Sequence, residues 1–235
     1  MIINTSQITG LMDEIAGAVG MRVDVYLIGG GALMFNDLKV QTKDVDIVVR
    51  TREEFGTLEG ALPRLGFWQT RPRMGSERMN LSGTYEREED GFCIDLFETR
   101  VCDELSLSES MASRAKLEAD NGKVGLHVCA LEDILIFKSI TERPGDEGDT
   151  VEIITRGVDW NLILEEVRVQ ADAYEGEWIT WLSERLHHLS ERYDVSVPVL
   201  RELSKMSDRF MEAWADRMEA EIEAARKLGA NPKGD

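Results

Sequence analysis

A glycine-rich segment that follows a short apolar run constrains the fold more than any other part of the chain. The run from Val23 to Ile28 is apolar and rich in β-branched residues, which predicts a buried strand. Gly29, Gly30 and Gly31 end it, and the residues after them read as the start of a helix. Glycines let a backbone approach a bulky anion closely, and a helix N-terminus presents unpaired N–H groups to that anion. The segment therefore predicts a phosphate cradle, with a plain strand-to-helix turn as the alternative.

Two carboxylates open the next apolar run, which extends from Asp44 to Val49. Alternate side chains of a strand lie on one face, so Asp44 and Asp46 are expected about 7 Å apart on the same side. Two ionised carboxylates repel each other, and a divalent cation removes that conflict. We expect this pair to hold Mg²⁺, with a solvated strand edge as the alternative. A phosphate cradle and a metal-binding pair so close in sequence predict a metal-bound nucleoside triphosphate.

These residues resemble a known signature. Gly29-Gly30, thirteen intervening residues and then Asp44-Val-Asp46 in a strand are similar to the signature of the nucleotidyltransferase superfamily, which has the polymerase-beta-like fold. Gly-Gly-x-Ala-Leu followed by Thr-Lys-Asp-Val-Asp resembles the small bacterial and archaeal branch, which includes abortive-infection-type toxin nucleotidyltransferases. The resemblance implies transfer of a nucleoside monophosphate from a triphosphate to an acceptor hydroxyl. It also implies that Gly29, Gly30, Gly31 and Lys43 contact the nucleotide and that Asp44 and Asp46 hold Mg²⁺.

A third carboxylate is implied by the same resemblance. Asp95 lies in the middle of the apolar run from Phe92 to Phe97, and a buried aspartate is costly unless it is paired or bound to metal. Superfamily members carry a third acidic residue on a later strand, where it joins the metal site and can activate the attacking group. Asp95 occupies that place, and a structural aspartate that caps a turn is the alternative.

Further downstream, a lysine and an aspartate resemble a second element of this branch. Lys138 ends a largely apolar face of the predicted helix from Ala130 to Thr141, and Asp149 begins the next helix after a loop predicted at 142–148. The resemblance implies that Lys138 offsets triphosphate charge and that Asp149 positions or deprotonates the acceptor. The local sequence departs from the family pattern here, which leaves open whether Asp149 or Asp146 is the downstream carboxylate.

A cluster of arginines is the densest positive region of the sequence. Arg71, Arg73 and Arg78 lie within eight residues of one another in an acidic chain. They predict either a loop paired with nearby glutamates or a contact for the triphosphate or an acidic acceptor.

Composition narrows the class of protein. The 235 residues include 45 acidic and 27 basic ones, giving a net charge of −18, which disfavours nonspecific contact with nucleic acid or anionic membrane. The sequence contains no run of about eighteen apolar residues and no secretory signal, so we expect no membrane contact. Three widely spaced cysteines, Cys93, Cys102 and Cys129, favour reduced thiols and a cytoplasmic protein.

The expected fold class is α+β. A mixed, twisted sheet flanked by helices is predicted for a nucleotidyltransferase-like domain at 1–157, with a helical region at 158–228 and a disordered tail at 229–235. Thr51 and Glu54 form a capping-box pattern, and the residues 120–122 form a hairpin turn signal. Two apolar stripes at helical spacing are interpreted as core or packing surface. The first consists of Trp178, Trp181, Leu182, Leu186 and Leu189, and the second consists of Phe210, Trp214 and Met218.

The acceptor and the partners remain open at this point. An RNA end such as that of tRNA, a protein or a small molecule would each fit the resemblance, and a toxin-like enzyme would have an antitoxin partner. The net charge of −18 argues against an RNA acceptor. The alternative from another class is a catalytically silent nucleotide-binding or interaction protein on the same fold.

Overall fold

The computed structural model describes residues 1–70, 83–101, 105–141, 144–173 and 176–227. The strands are β1 (Val23–Ile28), β2 (Val45–Val49), β3 (Trp68–Thr70), β4 (Gly83–Arg87), β5 (Phe92–Glu98), β6 (Arg100–Val101), β7 (Leu105–Ser106), β8 (Lys116–Asp120) and β9 (Val124–Val128). The helices are α1 (Thr5–Ala18), α2 (Gly29–Phe35), α3 (Arg52–Ala61), α4 (Glu109–Arg114), α5 (Leu131–Ser139), α6 (Pro144–Arg156), α7 (Trp160–Ala173), α8 (Trp178–Tyr193) and α9 (Leu200–Lys227), with a 3₁₀ helix at Leu62–Leu65.

A mixed sheet forms the centre of the fold. Among the described residues, seven strands pair in the order β3-β4-β5-β2-β1-β9-β8. β2 and β5 are parallel, as are β1 and β9, and the other neighbouring pairs are antiparallel. Helices flank this sheet, and further helices follow it towards the C-terminus, so the predicted α+β class is confirmed.

The three central strands, β1, β2 and β5, are buried on both faces, because their runs of apolar residues are nearly continuous. Leu27, Ile47 and Leu96 oppose one another across β1, β2 and β5 and are at most 1% exposed. Helix α3 contacts all three of these strands. Continuous apolar runs of this kind are typical of strands that are covered by helices.

One hydrophobic cluster extends beyond the sheet into the C-terminal helices. It contains sheet residues such as Leu27 together with Ile163 of α7, Leu182 of α8 and Leu203 of α9. The division at residues 157 and 158 stays a prediction, and the predicted tail at 229–235 lies outside the described residues. No helix in the described part of the chain is long and apolar enough to cross a membrane.

The two predicted stripes differ in where they lie. Leu182, Leu186 and Leu189 of the first stripe are fully buried. Trp214 and Met218 of the second are 40% and 37% exposed, so this part of α9 does not lie in the core of the chain.

Helix α6 begins earlier than the sequence predicts. The predicted loop at 142–148 is wrong from Pro144 onward, because α6 starts at that residue. Proline suits the first turn of a helix, and Asp146 and Glu147 in that turn interact favourably with the helix dipole.

A buried ion cluster ties α4, α5 and α7 together. Arg114 donates to both carboxylate oxygens of Asp133 and to Glu166 Oε2. Asp133 is fully buried, and this burial raises its pKa to about 6 although Arg114 acts in the opposite direction.

Candidate active site

The glycine turn and the first carboxylate strand meet directly. Gly29 has φ +63°, a left-handed conformation that favours glycine, and it opens α2 immediately after β1. A Cβ atom on Gly29 would lie 2.0 Å from Asp46 Oδ2 and 2.6 Å from Asp46 Cγ. Ile28 opposes Asp46 in the antiparallel register of β1 and β2. Only a residue without a side chain lets the turn and this carboxylate lie so close together.

A second carboxylate lies beside the first on the parallel neighbour strand. Asp46 of β2 and Asp95 of β5 are register partners, and each is 6% exposed. Register partners on adjacent strands point to the same face about 5 Å apart. Thr84 of β4 opposes Asp95, and its hydroxyl donates to Asp95 Oδ1 over 3.0 Å. The strand order thus brings two buried acids and a positioning hydroxyl to one spot on the sheet.

Asp44 and Lys43 lie just before this spot. Asp44 directly precedes the first residue of β2 and is half-buried. Lys43 is exposed. Their predicted roles in metal and nucleotide binding stay predictions.

The donor chemistry of this spot fits magnesium. Mg²⁺ prefers oxygen ligands and usually takes one or two carboxylates from the protein and the rest from water and substrate phosphates. Asp46 and Asp95 supply such a pair, and two neighbouring buried acids gain from a cation between them. Within the described ranges, no group of three or more His, Cys, Asp or Glu residues is arranged to hold a metal ion. Asp46 and Asp95 lie side by side, and the predicted metal-binding roles of Asp44, Asp46 and Asp95 stay predictions.

The predicted downstream lysine is buried and paired. Lys138 is 6% exposed, and its Nζ lies 2.6 Å from Asp146 Oδ1 and 2.8 Å from Asp149 Oδ2. Burial of the ammonium lowers its pKa, but the two carboxylates outweigh that effect and hold the pKa of Lys138 above its ordinary value. Thr141 donates to the second oxygen of Asp146. Lys138 is thus a charged group locked into place by its neighbours.

A lysine that sequence reasoning missed joins this cluster to the glycine turn. Lys39 Nζ lies 2.9 Å and 2.7 Å from the two carboxylate oxygens of Asp149. The Lys39 Cδ atom lies 3.7 Å from the position of a Cβ on Gly30, and its side chain is 32% exposed. Asp149 therefore holds both Lys39 and Lys138. The only signal in the sequence was a lysine five residues before Asp44, in a polar loop where solvent exposure is the usual expectation.

The predicted residues thus fall into two connected groups. The first contains Gly29, Asp46 and Asp95, and the second contains Lys138 and Asp149, with Lys39 between them. A Cβ on Gly31 would lie 3.1 Å from Leu27 Cδ1, so this position packs against the core, and its predicted contact with the nucleotide stays a prediction. The predicted arginine cluster at positions 71, 73 and 78 lies outside the described residues.

The chain has weak structural similarity to two solved structures. No protein-family model matches the chain, and no curated protein matches its sequence. Among solved structures, ANT(2'')-Ia in complex with adenylyl-2''-tobramycin is 18% identical with a TM-score of 0.41, over 72% of this chain and 96% of that one. A protein from H. pylori named as a nucleotidyltransferase is 12% identical with a TM-score of 0.37, over 90% of this chain and 96% of that one. Similarity at this level does not assign the chain to a family, so the site itself must carry the functional argument.

Proposed function

We propose that this protein transfers a nucleoside monophosphate from a nucleoside triphosphate to an acceptor hydroxyl in a magnesium-dependent reaction. The observation that carries the proposal is the contact of the left-handed Gly29 backbone with the Asp46 carboxylate, which in turn faces Asp95. A glycine in this position lets the backbone of the turn lie against two acids that favour a cation, so a phosphate bound to that cation would also reach the turn. A plain strand-to-helix turn at Gly29 would not require the carboxylate of Asp46 to lie against it.

The chain's own residues divide the chemistry between them. Asp46 and Asp95 would hold Mg²⁺, which when bound offsets charge on the triphosphate and its leaving group. Gly29 and Gly30 present backbone to the phosphates. Asp95, oriented by the Thr84 hydroxyl, takes up the proton of the acceptor hydroxyl. The acceptor oxygen then bonds to the α-phosphorus, the bond from that phosphorus to the bridging oxygen breaks, and pyrophosphate leaves.

We assign the charge partner of the phosphates to Lys39 rather than to Lys138. The Lys138 ammonium is buried between two carboxylates, so moving it would leave both of them without their cation. Lys39 is half-exposed, lies beside Gly30 and shares its carboxylate with Lys138. It can turn towards a phosphate while Asp149 keeps Lys138 as a partner.

The acceptor in the proposed reaction is a molecule that bears a hydroxyl group. An RNA end, a protein or a small molecule are all acceptors that bear a hydroxyl, and the net charge of −18 disfavours a nucleic acid. A toxin-like role with an antitoxin partner is supported only by the resemblance of the glycine and aspartate motif. Cys93 and Cys129 are buried, and the wide spacing of the three cysteines in the sequence supports a reducing compartment such as the cytoplasm.

A transfer assay tests the proposal. Purified protein is incubated with each labelled triphosphate, Mg²⁺ and either total RNA or a small-molecule extract, and released pyrophosphate is measured. We expect Asp46→Asn to keep the fold and lower the rate about 100-fold or more. Asp24→Asn is the matched control, because Asp24 lies on the neighbouring strand β1 outside the site. The position of the label identifies the acceptor class. Triphosphate binding without transfer would support the silent binding protein, and an unimpaired Asp46→Asn rate would overturn the assignment.

A further inference from the structure

Helix α9 extends well past the helix on which it packs. It has 28 residues, whereas its antiparallel neighbour α8 has 16. The hydroxyl of Ser207 in α9 donates to Oγ1 of Thr180, which lies near the start of α8, over 3.2 Å. From Ser207 the helix continues to Lys227, a distance of about 30 Å at 1.5 Å per residue. Leu203 is fully buried, but the residues from 211 to 224 are exposed. The second half of α9 therefore projects into solvent.

The projecting half carries a row of large apolar side chains, here called the α9 stripe. It consists of Met211, Trp214, Met218 and Ile222, which are 45%, 40%, 37% and 47% exposed. Spacings of three and four residues place them on one face of the helix. The row is about 17 Å long, and rows of large exposed hydrophobics on a helix mark interaction surfaces more often than solvated faces.

The charges beside the stripe indicate which partner it accepts. Asp208, Glu212 and Glu219 are exposed and lie along one side of the stripe, at helical positions 60–100° from Met211. Asp208 and Glu212 are four residues apart, a like-charge spacing that destabilises an isolated helix. A cationic side chain placed along this flank would relieve that repulsion and pair with the carboxylates.

The same charges disfavour the other occupants. Antiparallel packing of two copies would place the acidic flank against itself, and each copy carries a net charge of −18. Anionic lipid and nucleic acid would be repelled in the same way. We propose that the α9 stripe docks an amphipathic helix of a different protein, whose apolar row is flanked by lysine or arginine.

Site-specific photo-crosslinking in the full-length chain tests the proposal. Benzoylphenylalanine is placed at position 218, in place of Met218, and the cells are irradiated before the crosslinked peptides are sequenced. The matched control carries the same probe at position 220, in place of Ala220, which lies about 200° around the helix. We expect a crosslink from position 218, at least tenfold above that from 220, to a segment with apolar residues at three- and four-residue spacing and more basic than acidic residues.

A charge-reversal variant separates the electrostatic part of the proposal from simple hydrophobic adhesion. With Glu212→Lys and Glu219→Lys combined, the crosslink yield should fall about tenfold, and in lysate the yield of the parent protein should fall as salt is added. The purified protein should have a mass of 26.5 kDa by light scattering. A crosslink between two copies, to lipid, to nucleic acid or to an acidic segment would overturn the proposal. So would a dimer in solution, an unchanged yield after charge reversal, or equal yields at positions 218 and 220. None of these outcomes depends on the proposed transferase activity.

Discussion

Replacing Gly29 by alanine tests the contact on which the proposed site depends. The added Cβ would lie 2.0 Å from Asp46 Oδ2, so the carboxylate has to move by more than 1 Å to restore an ordinary van der Waals distance. The Asp46 side chain is 6% exposed and faces Asp95, which limits the directions in which it can turn. We therefore expect Gly29→Ala to displace the Asp46 carboxylate, the proposed ligand of Mg²⁺.

Two separate costs make up the expected loss of stability. At φ +63° a side chain costs about 1–2 kcal/mol in backbone strain, partly offset by the lower entropy of the unfolded chain. Moving a buried carboxylate adds about 1–3 kcal/mol. The free energy of unfolding should thus fall by about 2–4 kcal/mol. A catalytic group displaced by about 1 Å lowers the rate on the order of 100-fold.

A second glycine separates these two costs. Gly91 has φ +70°, and a Cβ there meets no atom within 4 Å, so Gly91→Ala carries the backbone strain without the clash. We expect it to lose about 1 kcal/mol in urea unfolding and no activity in pyrophosphate release. In an Asp46→Ala background the Gly29→Ala cost should shrink to that of Gly91→Ala, because the atoms that clash are gone. Equal stability losses and normal activity in both single variants, or an undiminished cost in the Asp46→Ala background, would refute the reasoning.

Three further predictions concern the neighbours of the site and the core. Lys39→Gln should raise the KM for the triphosphate about tenfold or more and change the free energy of unfolding by less than about 1 kcal/mol, since the side chain is 32% exposed. Thr84→Val removes the hydroxyl that donates to Asp95, so kcat should fall and about 1–3 kcal/mol of stability should be lost, while Thr84→Ser should keep both. The folded-state pKa of Asp133, about 6, lies above its ordinary 3.8. Its contribution to stability is therefore present below about pH 4 and lost as the pH rises through 6, so the stability of the parent protein relative to Asp133→Asn should fall by about 2 kcal/mol between pH 4 and pH 7 in denaturant titrations.

Features set by neighbouring residues could be read from the sequence. Thr51 and Glu54 bond to each other's backbone N–H groups at the start of α3, as the capping-box pattern predicts. The turn at 120–122 joins β8 and β9 as a hairpin, and Gly122 there has φ +87°. Both predictions are confirmed because each depends on contacts between residues fewer than about ten positions apart.

Features that depend on distant pairing could not be read in the same way. Lys39 and Asp149 are 110 positions apart, and their contact requires that the loop before β2 and the helix α6 lie together. The pattern of apolar and polar residues in either segment does not predict the contact between Lys39 and Asp149. The start of α6 was missed for a related reason, because glycines at 145 and 148 predict a loop, while pairing of Asp146 with Lys138 favours an ordered first turn.

The contacts of the same cluster favour one of the two downstream carboxylates, Asp146 and Asp149, between which the sequence left the choice open. Asp146 has a side chain that is 7% exposed, and it accepts hydrogen bonds from Lys138 and Thr141, which makes it an internal partner of α5. Asp149 has a side chain that is 15% exposed, and it also reaches Lys39 beside the glycine turn. The proposed role requires a carboxylate that pairs with a lysine near the bound nucleotide. Of the two carboxylates, Asp149 is the one that contacts Lys39. We therefore propose Asp149 as the downstream carboxylate of the site, because it contacts both Lys138 and Lys39, the lysine that lies beside the glycine turn.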